Sequence, residues 1–344
     1  VSVPEISPSE RIPVAVVGCG RMGRLHARVY SEMPQVKLVG VCDADSGVAE
    51  AVAQQYNCGA FKNPQDLLAA NPNLGAATIA VPTVFHSTVG ELLMRAGVNC
   101  LIEKPLAKDV ADARHIAAVA KETGVTVQVG HIERFNPAVR AMGRLGIKPR
   151  FIEVTRISPL TFRSIDVGVV LDMMIHDIDI VLRLADCEVS RIDATGVSVI
   201  GNVEDICNAR LTFANGCVAN VTASRLALKT ERRLRVFSPD AYVSIDYQKR
   251  YGMVARRSEN LEAIRQTVTK IRAGEIRDLS QVKFDEIVQI EELQIDDIEP
   301  LRAELDSFIS AVVNKTTPEV TVEHGLAAVE VATRIVESIK TESL

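Results

Sequence analysis

Three short stretches carry residue types that can do chemistry, and they lie far apart in the chain. The first is Gly18-Cys19-Gly20-Arg21-Met22-Gly23, directly after the apolar run Val14-Ala15-Val16-Val17. In a strand-to-helix turn the first glycine permits the reversal and the second lets the backbone approach a pyrophosphate. The third lets the helix sit close on the strand, with its N-terminus facing the phosphate charge. Asp43 follows Gly23 by twenty residues, where a carboxylate can accept both ribose hydroxyls of an adenosine. Together the two features favour a bound dinucleotide, held by Gly18, Gly20, Arg21, Met22, Gly23 and Asp43, over an empty β-to-α turn. A carboxylate at 43 repels a 2′-phosphate, and no Arg or Lys stands in the following Ala44-Asp45-Ser46-Gly47. NAD is therefore preferred to NADP, although Asp43 alone also suits a turn or a helix cap.

The second stretch, Glu103-Lys104-Pro105, ends an apolar strand at the place where open α/β sheets hold their ligands. Lys104 there can act on a substrate hydroxyl or hold negative charge, whereas the same turn in isolation reads as a solvated loop. The third contains Asp172 and His176, four residues apart and so on one face of a helix. A carboxylate so placed can orient an imidazole, and an imidazole suits the removal of a hydroxyl proton during hydride transfer. The pair is also half of a zinc site, but no third ligand follows at convincing spacing, and no metal is expected. A structural Asp-His pair is the remaining reading.

The elements that must position these residues are legible in the patterning. Strands are expected at Val14-Val17, Lys37-Cys42, Ala77-Val81, Asn99-Ile102 and Thr126-Val129. Helices alternate with them at Arg21-Met33, Ser46-Tyr56, Phe85-Ala96 and Val110-Thr123. That alternation predicts an α/β fold whose N-terminal part, residues 1–130, is a Rossmann domain with a doubly wound parallel sheet. From 131 to 344 the pattern changes. Runs at Arg150-Ile157, Ser190-Ile200, Ala209-Phe213, Cys217-Ser224, Arg233-Ser238 and Tyr242-Tyr247 alternate apolar with polar residues. They predict a second domain with a mostly antiparallel sheet, polar on one face or buried against a partner there. Two terminal helices, Leu301-Val313 and Glu323-Ile339, are expected to pack back on the first domain.

Composition narrows the function classes. A net charge of −5 gives no positive field to hold a phosphate backbone, so a nucleic-acid partner is not expected. The basic stretch that includes Lys249, Arg250, Arg256, Arg257, Arg265, Lys270, Arg272 and Arg277 is interrupted by Glu259, Glu262 and Glu275, and reads as a solvated or subunit-facing region. Seven scattered cysteines without CxxC pairs suggest neither disulfides nor zinc, and a reducing cytoplasm is the expected location. No apolar run reaches the length of a membrane span.

The glycine turn, the Glu103-Lys104-Pro105 turn and the Asp172-His176 helix, in that order and separation, resemble the Gfo/Idh/MocA family of oxidoreductases. Val81-Pro82-Thr83-Val84-Phe85-His86 and Glu299-Pro300-Leu301 add to the resemblance. It implies a Rossmann domain joined to a C-terminal α/β domain, residues 131–344, for substrate binding and oligomerisation, with a large open sheet used for homodimer or homotetramer contacts. It further implies Pro82, His86 and Glu103 beside the cofactor and Lys104 beside the nicotinamide and substrate hydroxyl, with a frequently cis Lys104-Pro105 bond. His176, supported by Asp172, or else Lys104, then accepts the proton. Gly130-His131-Ile132-Glu133-Arg134-Phe135-Asn136-Pro137 and Asp166-Val167-Gly168-Val169-Val170 are similar to members that oxidise C3 of a UDP-linked N-acetylhexosamine. Arg134, Asn136 and Arg163 are then candidates to hold the sugar or its diphosphate. The alternatives are a dehydrogenase of a free sugar, cyclitol or other small carbonyl compound, and a dinucleotide-sensing regulator without turnover.

Overall fold

A strand buried on both faces can be apolar at every position, and the first strand of this chain, Ile12–Val17, is. In a computed structural model, which describes residues 11–161, 166–257, 261–275 and 288–339, six strands pair in parallel. They are β1 (Ile12–Val17), β2 (Val36–Cys42), β3 (Gly59–Phe61), β4 (Ala76–Ile79), β5 (Asn99–Glu103) and β6 (Val127–Gly130). Their order is β3-β2-β1-β4-β5-β6. The order reverses between β1 and β4, which opens a crevice at their C-terminal ends.

Helices α1 (Arg21–Glu32), α2 (Ser46–Tyr56), α3 (Pro64–Ala70), α4 (His86–Arg95) and α5 (Val110–Thr123) connect the strands. Three of them begin on side-chain caps: Asp45 accepts from Gly47 N and Val48 N, Asn63 from Asp66 N, and Asp109 from Asp112 N. Helix α1 does not. Its cap is Gly20, which offers no side-chain acceptor. The short pair β3 and α3 was not expected from the patterning, because three residues are too few to display a period; Asn63-Pro64 was the available signal.

Two later helices, α9 (Pro300–Asn314) and α10 (Val322–Ser338), complete this first compact unit, which runs to Phe135 and also includes Val170–Asp179 and Ile298–Glu337. Leu301, Leu305, Phe308 and Ile309 on α9 share one buried cluster with Val14, Val16, Ala27 and Tyr30. Gly325 on α10 lets that helix approach β6, since a Cβ there would stand 2.7 Å from Val129 Cγ2. The unit therefore differs from a division at residue 130 by three segments, each drawn in by burial of its apolar side chains.

The second unit, within 136–169 and 180–297, carries β7 (Phe151–Ile157), β8 (Val189–Val197), β9 (Ile206–Phe213), β10 (Val218–Ser224), β11 (Glu231–Phe237), β12 (Ala241–Asp246), β13 (Tyr251–Arg257) and β14 (Val288–Glu292). Their order is β14-β13-β12-β11-β7-β10-β9-β8, with β7 and β10 parallel and every other pair antiparallel. Strands β13 and β14 were not expected; β13 lies in the charged stretch whose arginines mask its alternation. Helices α6 (Pro137–Gly143) and α8 (Leu261–Arg272) belong to this unit, and α7 (Ile175–Ala185) contributes its second half.

One sheet face buries Ile152, Val154, Leu211, Ala219, Val221, Leu234, Val236, Val243 and Ile245. The other is polar and only half buried. There Glu153 pairs with Arg235 at 3.1 Å, Asn208 with Thr222 at 2.7 Å and Arg210 with Asn220 at 3.1 Å, all cross-strand neighbours. Among the described residues no helix is long and apolar enough to cross a membrane.

Replacing Phe308 by Ala removes a fully buried ring from the first unit's core. Urea unfolding should show a loss of about 3–5 kcal/mol.

Candidate functional site

The glycine turn closes at the C-terminal end of β1. Gly18 has φ +95°, and a Cβ on it would stand 2.5 Å from the Ala80 carbonyl; at Gly23 a Cβ would overlap the Gly18 oxygen. These two glycines serve the turn and the packing of helix on strand. Gly20 is different, since a Cβ there meets nothing within 4 Å. The amides of Arg21, Met22 and Gly23 open α1 beside that space, and no acidic side chain lies in the first turn. A pyrophosphate fits such an uncapped helix start by both hydrogen bonding and the helix dipole.

Asp43, at the end of β2, is tied to the same turn. Its Oδ2 accepts from Cys19 N at 2.7 Å and its Oδ1 from Asp45 N at 3.0 Å. Each oxygen keeps lone-pair capacity for a ribose hydroxyl. Asp45 is occupied as the α2 cap, so Asp43 is the carboxylate available to an adenosine ribose. Burial, helped by the Asp43 charge, pushes the Cys19 thiol up to about 12, which keeps it protonated and unreactive.

Glu103 ends β5 and is 8% exposed. Its Oε1 accepts from His26 Nε2 on α1 at 2.8 Å, and its Oε2 from Lys104 N at 3.2 Å. Burial pushes this carboxyl up, but the His26 contact and the Lys104 charge together hold it below the usual carboxylate value. Gly130 on β6 gives Glu103 room, because a Cβ there would stand 3.1 Å from both its Cα and its Oε2. The Lys104-Pro105 bond is cis. Around it the ring nitrogens of His86 lie against backbone carbonyls, Nδ1 at 3.0 Å from Pro105 O and Nε2 at 3.0 Å from Val81 O, of which a neutral ring donates to one at a time. Burial holds the His86 pKa below its ordinary value despite those acceptors. His86 thus braces the loops on either side of the crevice. Pro82 precedes the 3₁₀ turn Thr83–Phe85, in which Val84 and Phe85 stay exposed.

The Lys104 side chain leads to the third stretch. Its Nζ donates to the Asp172 carbonyl at 2.6 Å and lies 3.5 Å from Asp172 Oδ1. Val170–Met174 form a turn of π-helix before α7 begins at Ile175, so the expected regular i, i+4 face does not extend back through Asp172. The wider turn sets the Asp172 carboxylate beside the lysine. His176 lies one position into α7, half buried, in the same compact unit as Lys104 and Asp172.

The expected sugar or diphosphate ligands are placed differently. Arg134 is buried, and its guanidinium grips Asp179 in a fork, Nε to Oδ2 at 2.6 Å and Nη2 to Oδ1 at 2.8 Å. The face that would hold a phosphate is filled by that carboxylate. Asn136 is 7% exposed, and its Oδ1 caps α6 by accepting from Ala138 N at 3.0 Å. Arg163 lies outside the described residues. Sequence reasoning missed the groups behind Glu103, namely His26, Thr78, Tyr30 and Glu304. The available signal was Glu304 itself, a charged residue on the apolar stripe Leu301, Leu305, Phe308 of α9.

A doubly wound sheet with an uncapped glycine turn at its crevice and a lysine-carboxylate pair beside it defines an NAD-binding oxidoreductase. Comparison with known proteins agrees. Residues 12–131 match the oxidoreductase family, NAD-binding Rossmann fold, and residues 157–243 match the GFO/IDH/MocA C-terminal domain. UDP-N-acetylglucosamine 3-dehydrogenase of Acidithiobacillus ferrooxidans is 39% identical over 233 residues, 67% of this chain and 73% of the relative. A scyllo-inositol 2-dehydrogenase (NAD(+)) of Bacillus subtilis is 30% identical over 236 residues, 62% of this chain and 68% of the relative. The solved structure of the Acidithiobacillus ferrooxidans enzyme superposes with TM-score 0.83 at 30% identity, covering 96% of this chain and 98% of that one. Levoglucosan dehydrogenase in complex with NADH shares the fold, with TM-score 0.80 at 19% identity over 95% of this chain and 96% of that one. The chain belongs to the Gfo/Idh/MocA family of oxidoreductases, and it is a dehydrogenase.

Two outcomes follow from the geometry. Gly20→Ala should leave the melting temperature of the cofactor-free protein near wild type yet weaken NADH binding about tenfold in a fluorescence titration, while Gly23→Ala should lower the melting temperature itself. Arg134→Met should destabilise by about 3–5 kcal/mol in urea unfolding, because it leaves the Asp179 charge buried alone.

Proposed function

We propose that this dehydrogenase oxidises a secondary alcohol carbon of a nucleotide-linked sugar, C3 of a UDP-linked N-acetylhexosamine, with NAD as acceptor. The observation that carries the reading is the placement of Lys104 against the Asp172 carbonyl and carboxylate, at the end of the strand next to the glycine crevice. The identity with a UDP-N-acetylglucosamine 3-dehydrogenase supports the substrate, as does Asp166-Val167-Gly168-Val169-Val170 in place of a triple-glycine run.

A bound nicotinamide would supply the acceptor for the hydride of the alcohol carbon. The amides of Arg21, Met22 and Gly23 hold the pyrophosphate and Asp43 the adenosine ribose, while Glu103, Pro82 and His86 shape the nicotinamide side. Lys104, fixed by Asp172, directs an N–H at the reacting oxygen, and the hydroxyl proton passes to His176 or Lys104. The sugar's far end rests on residues other than Arg134, whose fork is occupied by Asp179. The half-buried polar face of the second sheet is the surface for homo-oligomer contacts. All seven cysteines are free thiols, in keeping with a reducing, cytoplasmic setting.

The test is absorbance of reduced nicotinamide after mixing the protein with NAD and a panel of UDP-sugars, free sugars and cyclitols. Turnover of UDP-N-acetylglucosamine is expected, and silence with every UDP-sugar overturns the substrate. Lys104→Ala and His176→Ala should each lower kcat by about 10²–10⁴-fold, and the variant that also loses the ionisation governing the pH-rate profile identifies the base. Asp43→Ser should cut the preference for NAD over NADP by about tenfold, read as the ratio of kcat/KM values.

A further inference from the structure

Behind the Glu103-Lys104 turn lies a buried array of polar groups that the steps above leave unused. Tyr30 OH and Thr78 Oγ1 are 2.9 Å apart, Thr78 Oγ1 is 3.4 Å from His26 Nδ1, and His26 Nε2 is 2.8 Å from Glu103 Oε1. One assignment of hydrogens satisfies the whole run. Tyr30 donates to Thr78, Thr78 donates to the unprotonated Nδ1 of His26, and Nε2–H donates to Glu103. The run ends on an acceptor, and with an N–H directed at each of its two oxygens Glu103 is placed as a carboxylate would be. Lys104 N donates to the other Glu103 oxygen at 3.2 Å.

Glu304 faces this array from α9. It is fully buried, and neither carboxyl oxygen has a hydrogen-bond partner among the described residues. One of its oxygens, one of Glu103 and one nitrogen of His26 all lie within 4.8 Å of one another. Its own main chain is pinned, since Gln128 Nε2 donates to the Glu304 carbonyl at 3.0 Å. The groups that bear on it are thus His26 and Tyr30 from α1, Thr78 from β4, Glu103 and Lys104 from β5 and the turn after it, and Gln128 from β6. Two carboxylates this close in an apolar core cannot both be charged. Glu103 is the one with donors.

We propose that Glu304 is held as a neutral carboxylic acid and acts as a positioning residue, its O–H supplying the remaining donor to Glu103. Glu103 is then the single negative charge behind Lys104, and the strand end that carries the lysine is fixed by donors from α1, α9 and its own turn. Burial, and the Glu103 charge, hold the Glu304 pKa well above the ordinary carboxylate value, consistent with this assignment. A divalent cation would draw on the same three side chains, but both His26 nitrogens are engaged, one by Thr78 and one by Glu103.

The experiment compares wild type with Glu304→Gln, which keeps a donor and cannot ionise. An infrared difference spectrum at neutral pH should show a protonated carboxyl C=O band that is lost in the variant; a carboxylate band in its place overturns the proposal. An acid protonated when folded and ionised when unfolded makes stability fall as pH rises. The wild-type melting temperature should therefore decline relative to the variant as pH rises above the ordinary glutamate pKa of about 4.3, and parallel curves count against it. Zinc that stabilises wild type but not the variant would show a metal site instead. The activity arm rests on the role proposed for Lys104. Glu304→Gln should keep kcat within about threefold, while Glu304→Leu, which has no donor, should lower it by about tenfold or more; equal kcat values in the two overturn the positioning role. The spectrum and the melting curves involve no substrate. Their failure therefore counts against the proton alone, whereas a failed substrate panel leaves them standing.

Discussion

Burying the Glu103 carboxylate at the end of a central strand is the constraint around which the first unit is arranged. Such a group must be given donors, and none can come from β5 itself beyond the next amide. The structure draws them from His26 on α1, which in turn leans on Thr78 of β4 and Tyr30 of α1. Gly130 of β6 leaves space on the far side. Each neighbour of β5 therefore contributes a residue whose identity is explained by Glu103 rather than by its own element. Lys104 takes its direction from the same place, because its backbone amide is one of the donors and its ammonium reaches Asp172 from there.

The glycine turn answers a different requirement. Where Glu103 calls for donors, the start of α1 withholds an acceptor, so that its amides stay available. Gly18 and Gly23 let the turn close, Gly20 keeps the approach open, and Asp43 holds the turn by the Cys19 amide. Three other helices of this sheet begin on side-chain caps, Asp45, Asn63 and Asp109, and α1, like α4, does not. The two devices sit at the ends of β1 and β5, with β4 between them.

What was legible in the sequence follows physical lines. Strand and helix periods persist over five or more residues in most elements, and the glycine turn, Asp43, Lys104 and Asp172 each belong to a run with its own local chemistry. Asp172 was readable as a functional carboxylate but not its partner, because a π-turn at Val170–Met174 alters the geometry that a regular helix would impose. Arg134 carried a forked cation suited to phosphate, yet the carboxylate that fills the fork, Asp179, is supplied by a helix more than forty residues away. Glu304 stood two hundred residues from Glu103 and announced itself only as a charge on an apolar stripe. Spacing reveals what one element does by itself; ion pairs and buried proton sharing between elements depend on tertiary approach. Strand β13 was hidden for a simpler reason, since its charges overrode the alternation.

The first unit is assembled from three separated lengths of chain, with α9 and α10 emerging only after the second unit's strands have been made. Synthesis proceeds from the N-terminus at some 5–20 residues per second, and a growing chain folds what it has. Until Pro300–Asn314 leaves the ribosome, the patch formed by Val14, Ala27 and Tyr30 lacks its cover of Leu301, Leu305 and Phe308. The nascent dinucleotide-binding sheet must therefore wait, sticky and incomplete, through the translation of about half the protein. That interval is when a chaperone has something to hold.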